Sequence, residues 1–307
     1  MDLLVVGSVA FDDIQTPFGQ AKRALGGSAS YFSLAASFFA RPSLVAVVGD
    51  DFTQTNLRVL LAHGVDVSGL QRAKGKTFAW GGKYSFDLNN RQTLFTRLGV
   101  FENFSPKLPR THKSANYLFL GNIHPRLQLD VLHQMTKPKL VGLDTMNFWM
   151  DNAPRELKIV LKLVDLFVIN DGEARQFTKQ HNLVKAARQI LGLMGHKKRT
   201  QPTLIVKQGE YGLLMFRQNQ TFHLPGFPIE DVIDPTGAGD SFAGGLMGYL
   251  AKTNDHGWEN LKRACVAGSA LASFCVEKLG TQRLQQIKPT HIKRRLADFK
   301  RLTHFEA

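Results

Sequence analysis

Asp234-Pro235-Thr236-Gly237-Ala238-Gly239-Asp240-Ser241-Phe242 is the stretch whose reading decides this chain. Phe242, Leu246 and Leu250 recur at helical spacing immediately after it, so the glycines stand at the start of a helix. The unsatisfied N–H groups and the macrodipole of a helix N-terminus both favour an anion, and glycines let that anion approach the backbone. A phosphoryl group suits such a cradle. An acid inside it is an odd structural choice, although Asp is also common in the first turn of helices. Beside a substrate hydroxyl, Asp240 could accept the proton while the backbone donors stabilise charge on the transferring phosphoryl oxygens. From spacing alone, a merely structural glycine turn stays open. A dinucleotide fingerprint requires a third glycine where Phe242 stands, and the full Gly-x-x-x-x-Gly-Lys-Ser/Thr pattern of a Walker loop does not occur in the chain.

Working outward, short β-rich apolar runs at 3–6, 44–48, 117–120, 140–143, 166–169 and 203–206 alternate with helix-period stretches at 28–40, 53–63, 126–135, 153–163 and 183–193. Such alternation predicts a doubly wound α/β fold, a mostly parallel sheet with helices on both faces. Ligands collect at the carboxyl ends of its strands, so the residues just after each run carry the chemistry. The segment 76–97 breaks the pattern. Phe78 and Trp80 share one face of a period-two stretch, Gly81-Gly82 reads as a hairpin turn, and Tyr84, Phe86, Leu94 and Phe95 follow. This predicts a small antiparallel insertion, to which 16–23 adds a piece. So small a sheet needs a cover for its apolar face, from the main domain, a ligand or a second subunit.

The 307 residues, with 43% hydrophobic and 21% charged, form an ordinary globular composition that excludes collagen, disorder and a disulfide scaffold. Cys265 and Cys275 have neither metal nor redox spacing and read as buried free thiols in a reducing compartment. Asp2 and the short run that follows are unlike a signal peptide or a membrane span, so a cytoplasmic protein without a membrane partner is expected. The net charge of +14 attracts polyanions, but no recognition motif accompanies it and no specific nucleic-acid partner is expected. Much of the excess lies in His196-Lys197-Lys198-Arg199 and Lys293-Arg294-Arg295, which read as solvated faces.

Asp12 follows the first run, where a carboxylate can hold two neighbouring sugar hydroxyls; an Asx turn or a helix cap reads equally well, and Asp13 is adjacent. Gly26-Gly27 precedes an apolar helix, Asn170-Asp171-Gly172-Glu173 follows the run at 166–169, and Lys207-Gln208-Gly209-Glu210-Tyr211-Gly212 follows the run at 203–206. Lys207 can neutralise phosphate charge or snorkel into solvent. Asp144 follows another strand and points at the same edge without an assigned role.

Asp-Pro-Thr-Gly-Ala-Gly-Asp at 234–240 resembles the C-terminal signature of the ribokinase-like, or PfkB, carbohydrate kinases, and the other elements occur in that family's order. The resemblance implies one ribokinase-like α/β domain over 1–307 with a β lid formed by insertions at about 13–24 and 76–98. It makes Asp240 the catalytic base, beside the substrate, and Gly237, Ala238 and Gly239 the anion hole. It places Asp12, Gly26 and Gly27 on the substrate, and Asn170, Lys207, Gly209 and Gly212 on ATP together with Gly237 and Gly239. Glu173 and Asn170 would organise Mg2+ through water. Many members carry asparagine where this chain has Tyr31, a departure that points to a larger or less polar substrate. The implied activity is transfer of the ATP γ-phosphoryl group to a hydroxyl of a sugar or sugar-like molecule, with a nucleoside as the alternative acceptor. Tyr31, Phe78 and Trp80 could then stack on a base, or simply bury the lid against the core or a second copy in a homodimer. A monovalent-cation requirement stays open. A catalytically silent sugar or nucleotide sensor and a dinucleotide oxidoreductase are the rival classes.

Overall fold

The computed structural model describes residues 2–195 and 201–304. The basic stretch at 196–199, expected as a solvated face, lies outside the described residues. The strands in chain order are β1 (Asp2–Val6), β2 (Ala10–Thr16), β3 (Gly19–Gly26), β4 (Arg41–Val48), β5 (Asp66–Arg72), β6 (Ala79–Tyr84), β7 (Arg91–Arg97), β8 (Tyr117–Leu120), β9 (Leu140–Leu143), β10 (Leu166–Asn170), β11 (Thr203–Lys207), β12 (Leu213–Arg217) and β13 (Gln220–Leu224). They form a nine-stranded sheet, ordered β13-β12-β11-β10-β9-β8-β1-β4-β5, and a four-stranded sheet, ordered β3-β2-β6-β7. From β11 to β5 the large sheet is parallel, as the alternation predicts. The continuous apolar runs are explained by burial on both faces. Leu3 and Val5 enter one core layer while Leu4 and Val6 enter the other.

The strands that the sequence reading passed over lie at the margins. β5 is a polar, half-exposed edge, and β12 and β13 form an antiparallel hairpin turning at Gln218, whose φ is 51°. β5 and β13 lack the unbroken apolar run of a central parallel strand, while β12 carries one, 213–216, that the reading passed over.

In the small sheet, β2 pairs antiparallel with β3 and parallel with β6, and β6 pairs antiparallel with β7. It reaches further than the expected insertion, since β2 and β3 together run from Ala10 to Gly26. Gly81 and Gly82 do not make the hairpin turn predicted for them. They lie within β6 opposite a bulge, and the turn comes later, where the Ser85 N–H bonds the Asn90 carbonyl at 2.9 Å. The reason is room for rings: a Cβ at Gly81 would stand 2.4 Å from the Phe95 ring, and one at Gly82 would stand 2.1 Å from the Trp80 indole.

Helix Ala238–Thr253 is held in the first core layer between helices Ser28–Ala36 and Trp258–Cys275. Glycines on this helix and on Trp258–Cys275 make the approach close. A Cβ at Gly244 would lie 2.2 Å from the Phe32 carbonyl oxygen, and one at Gly268 would lie 2.7 Å from the Phe242 carbonyl oxygen. Backbone oxygens cannot rotate aside as side chains do, so any added atom must push the helices apart. Gly244→Ala is expected to lower stability by about 1–3 kcal/mol, read as a reduced denaturant midpoint with an unchanged slope.

Candidate active site

β9, β10 and β11 are neighbours, and each delivers a polar residue at its carboxyl end. Asp144 follows β9 and is buried, Glu173 stands in the first turn of helix Asp171–Thr178 after β10, and Lys207 closes β11. Asn170 and Lys207 are register partners. Asn170 and Glu173 form a capping box, with the Glu173 N–H on Asn170 Oδ1 at 2.7 Å and the Asn170 N–H on Glu173 Oε2 at 3.1 Å.

The glycine loop meets this edge from the other side. Asp234, 0% exposed, folds it: its carboxylate accepts from the Thr236 N–H at 2.9 Å and from the Gly280 N–H at 2.7 Å. Gly237 then caps helix Ala238–Thr253 in the left-handed region, φ 76°, which is glycine's preserve. The Ala238 N–H bonds the Pro235 carbonyl at 3.2 Å, so in this state the donors that a ligand anion finds unused are those of its glycine neighbours. A Cβ at Gly239 would sit 2.7 Å from Lys207 Nζ, which shows that the lysine turns inward over the loop instead of snorkelling.

Asp240 is half-buried and keeps contact with solvent. Burial, then Asp144, push its carboxyl up to about 7, while Lys207 and Arg91 pull the other way. Glu173 rises to about 7 for the same leading reasons, burial and Asp144. Burial also raises Asp144, against the pull of Lys207. Such a group of carboxylates around one ammonium is poised for proton transfer near neutral pH.

Asp12 approaches Asp240 from the small sheet. The sequence places it just past β1, whereas the structure puts it inside β2, paired with Ala24 on one side and Trp80 on the other. Its carboxylate lies on Gly26, where a Cβ would be 1.9 Å from Oδ2, and accepts from the Gly27 N–H. Burial, then Asp234 and Asp240, push it up to about 8. The diglycine thus makes room for a carboxylate.

Two expectations are not met. Tyr31 is 1% exposed and lies under the glycine loop, so close that a Cβ at Gly237 would stand 2.3 Å from its ring; it has no free face for a base or other ligand. Phe78 is engaged in a stack with Phe101, centroids 5.3 Å apart. Gly212 packs against the β12–β13 hairpin, with a Cβ position 2.0 Å from the Leu224 carbonyl oxygen, while Gly209 faces open space, which leaves room for a ligand beside it. Gly75-Lys76-Thr77 matches the end of a Walker loop in residue type only, since Thr77 is bound to Asp51 and the chain continues into β6 instead of a helix. A cavity of about 570 Å3 lined by Phe38, Arg41, His63 and Lys252 lies at the amino ends of the strands, away from these carboxylates. Two residues were given no role by the sequence reading. Asp144 carried a strand-end signal only, and Arg91, on an exposed hairpin, carried none.

The pfkB family carbohydrate kinase pattern matches residues 3–288. The chain belongs to that family. A cytidine kinase of Thermococcus kodakarensis is 30% identical over 257 residues, covering 81% of this chain and 88% of the relative. A deoxyribokinase of Salmonella typhi is 25% identical over 267 residues, covering 84% and 82%. The solved structure of Burkholderia thailandensis nucleoside kinase in complex with inosine has a TM-score of 0.77 at 19% identity, covering 99% of this chain and 100% of that one, a likeness of fold. This pfkB-family chain is accordingly an ATP-dependent phosphotransferase that acts on a hydroxyl of a sugar or a nucleoside. Among the described residues, no helix is long and apolar enough to cross a membrane.

The contact between Gly26 and Asp12 yields a clean test, because Gly26 has an ordinary backbone conformation and a methyl group there meets the carboxylate. Gly26→Ala should raise the acceptor KM by roughly 10- to 100-fold, the loss of one or two charge-assisted hydrogen bonds, while the ATP KM stays within about threefold. An unchanged acceptor KM would free Asp12 from the substrate.

Proposed function

We propose that this kinase phosphorylates a ribose hydroxyl of a nucleoside, with Asp240 as the base. The observation that carries the reading is the convergence of Asp12 and Asp240 on one cleft from two different sheets, with the glycine loop and Lys207 beside Asp240. Asp12 accepts hydrogen bonds from neighbouring hydroxyls and so aims a third hydroxyl at Asp240. Asp240 takes the proton as the oxygen attacks. The donors of Gly237 and Gly239, with Lys207, hold the negative charge of the transferring phosphoryl group.

Trp80 favours the nucleoside over the free sugar. It is the register partner of Asp12 in β6 and shares its face of the small sheet, so an acceptor whose hydroxyls lie on Asp12 brings its remaining ring system to the indole. The cytidine kinase relative supports the same choice. The small sheet acts as a lid that excludes water from the reaction. Its exposed Phe18 and Phe86, with ring centroids 6.2 Å apart, support a second copy as the cover of its outer edge.

Magnesium fits the donor set, which is all oxygen and rich in charge: Glu173 is half-buried with one carboxylate oxygen outside the capping box, and Asn170 sits beside it. Among the described residues no three acidic, imidazole or thiolate groups form a ready-made cage, so these residues would hold the ion through its water shell. When bound, the ion neutralises charge on the ATP phosphates.

Acceptor-dependent ADP release should therefore be about 10- to 100-fold more efficient in kcat/KM with a ribonucleoside than with ribose or deoxyribose, the worth of one stacked base. Equal efficiency with the free sugars would overturn the nucleoside assignment. Asp240→Asn should lower kcat by about two to four orders of magnitude with ATP affinity nearly intact. In the unaltered protein the base works ionised, so its activity falls as protons are added: kcat/KM should decline below a pH of about 7 and hold above it. A profile flat down to pH 5 would remove Asp240 from the mechanism.

A further inference from the structure

The turn at 276–281, between helices Trp258–Cys275 and Gln282–Gln286, touches both halves of the cleft. On one side it holds the signature loop. The Val276 carbonyl accepts from the Ile233 N–H at 2.8 Å and from the Asp234 N–H at 3.2 Å, and the Gly280 N–H donates to the Asp234 carboxylate at 2.7 Å. The Cys275 thiol, just before the turn, donates to the Thr236 carbonyl at 3.5 Å. On the other side it holds β3, whose Ala24 is the register partner of Asp12. Thr281 Oγ1 donates to the Leu25 carbonyl at 3.3 Å, and a Cβ at Gly280 would stand 3.3 Å from the Ala24 methyl. The turn therefore sets the separation between the strands that carry Asp12 and the loop that leads to Asp240.

A short turn with a glycine at φ 58° is pliable by itself, and an ion-pair cluster behind this one stiffens it. Glu277, inside the turn, accepts from Arg283 Nε at 2.6 Å on Oε2 and from Arg295 Nη2 at 2.7 Å on Oε1. Both carboxylate oxygens are thus engaged, by guanidinium groups from two helices, Gln282–Gln286 and Pro289–Thr303. Arg295 is fixed in its turn. Its Nη1 donates to Ser273 Oγ at 2.6 Å, and its guanidinium lies over the rings of Phe227 and Phe274, 4.3 and 4.0 Å from their centroids. With side chains only 14% exposed for Arg295 and 20% for Glu277, the pair is screened less than a surface pair, and removing one partner strands the charge of the other. A cluster that merely fastened the C-terminal helix could sit anywhere along it. This one closes on the residue between Val276, which holds Ile233 and Asp234, and Gly280, which holds Asp234 again.

Resting on the phosphotransferase reading above, we propose that Glu277 is a positioning residue for phosphoryl transfer. Clamped by Arg283 and Arg295, it holds the 276–281 turn so that the acceptor-bearing strands and the glycine loop keep one separation. The attacking oxygen and the transferring phosphorus must meet in line, and a misplacement of about 1 Å costs on the order of 10²-fold in rate. The clamp touches neither substrate. It acts through Gly280 and Asp234 on the loop and through Thr281 on β3, so it governs how two bound substrates are aligned and not how tightly each is held. Through Arg295 the C-terminal helix Pro289–Thr303 becomes part of the framework of the active site.

The test compares the full-length protein with Glu277→Gln, which keeps the shape of the side chain and loses its charge. Assayed well below its melting temperature, the variant should lose about 10- to 100-fold in kcat while the KM values for ATP and for a ribonucleoside stay within about threefold. Amide exchange at Thr236 and Gly280, whose N–H groups lie on Asp234, should quicken by about tenfold or more relative to the β8 amide of Leu118. A clamp that served stability alone would lower the melting temperature and leave kcat unchanged, and that result overturns the proposal. A loss of rate with the protection of Thr236 and Gly280 intact overturns it too, as does a loss carried by either KM. Should Glu277→Gln fail to fold, Arg283→Gln leaves the Arg295 bond in place and should show the same split at about 3- to 10-fold; a kcat within about twofold then decides against the clamp. Exchange reads the clamp without turnover. Faster exchange in the variant of a protein that phosphorylates neither nucleosides nor sugars would sink the phosphotransferase reading, which keeps the two failures apart.

Discussion

The buried carboxylate of Asp234 holds two backbone N–H groups, those of Thr236 and Gly280, and the arrangement of the active site follows from that pair of bonds. They fold the chain sharply enough that Gly237 must take a left-handed conformation, and Gly237 then starts the helix whose N-terminus faces the cleft. A fully buried acid is costly unless its oxygens are satisfied, and here both are. The ring of Tyr31 fills the space beneath the loop so tightly that only glycine fits above it. The loop is thus fixed from three sides, by an acid, by a distant glycine and by an aromatic ring, before any ligand arrives.

The cleft and the molecule as a whole carry opposite charge. The chain has a net charge of +14, whereas Asp12, Asp144, Glu173, Asp234 and Asp240 gather at one edge of the sheet. A basic surface draws in polyphosphates over long distances, since fields extend about a Debye length or more into solvent. Close up, the crowded carboxylates would repel the same phosphates, and each is raised toward its neutral form by burial and by its neighbours. Lys207 offsets part of this repulsion, and positive charge brought by a metal ion and by Arg91 would offset the remainder. A site built this way is most favourable when every charged component is present at once, which suits an enzyme that should act only when both substrates are bound.

Two sheets meet at this cleft with different mechanical roles. The large sheet is covered on both faces and sets the positions of Asp144, Glu173 and Lys207 through neighbouring parallel strands. The small sheet has one face toward the cleft and exposed aromatics at its margin, and it presents Asp12, Trp80, Tyr84 and Arg91. On the proposed reading, acceptor chemistry would depend on the less constrained element and phosphate chemistry on the rigid one.

Central strands and the signature loop were legible in the sequence because their physics is local. A strand buried on both faces must be apolar throughout, as at Tyr117–Leu120 and Leu140–Leu143, and a glycine loop before a helical apolar stripe marks a helix start with a bare backbone. Residues at the ends of those strands could be named, with Glu173 and Lys207 among them, because a parallel sheet sends all its carboxyl ends to one edge. What local pattern could not tell was which way a side chain faces. Tyr31 looked like a ligand residue and is packed beneath the glycine loop, and Gly81-Gly82 looked like a turn and instead clears space for Trp80 and Phe95. Asp144 and Arg91 gained meaning only when strands distant in sequence were brought together, since electrostatic coupling depends on separation in space. The sequence by itself determined the parallel sheet and the glycine loop at a helix start; the tertiary structure alone decided which charges share the cleft, because that depends on long-range contacts that no single segment encodes.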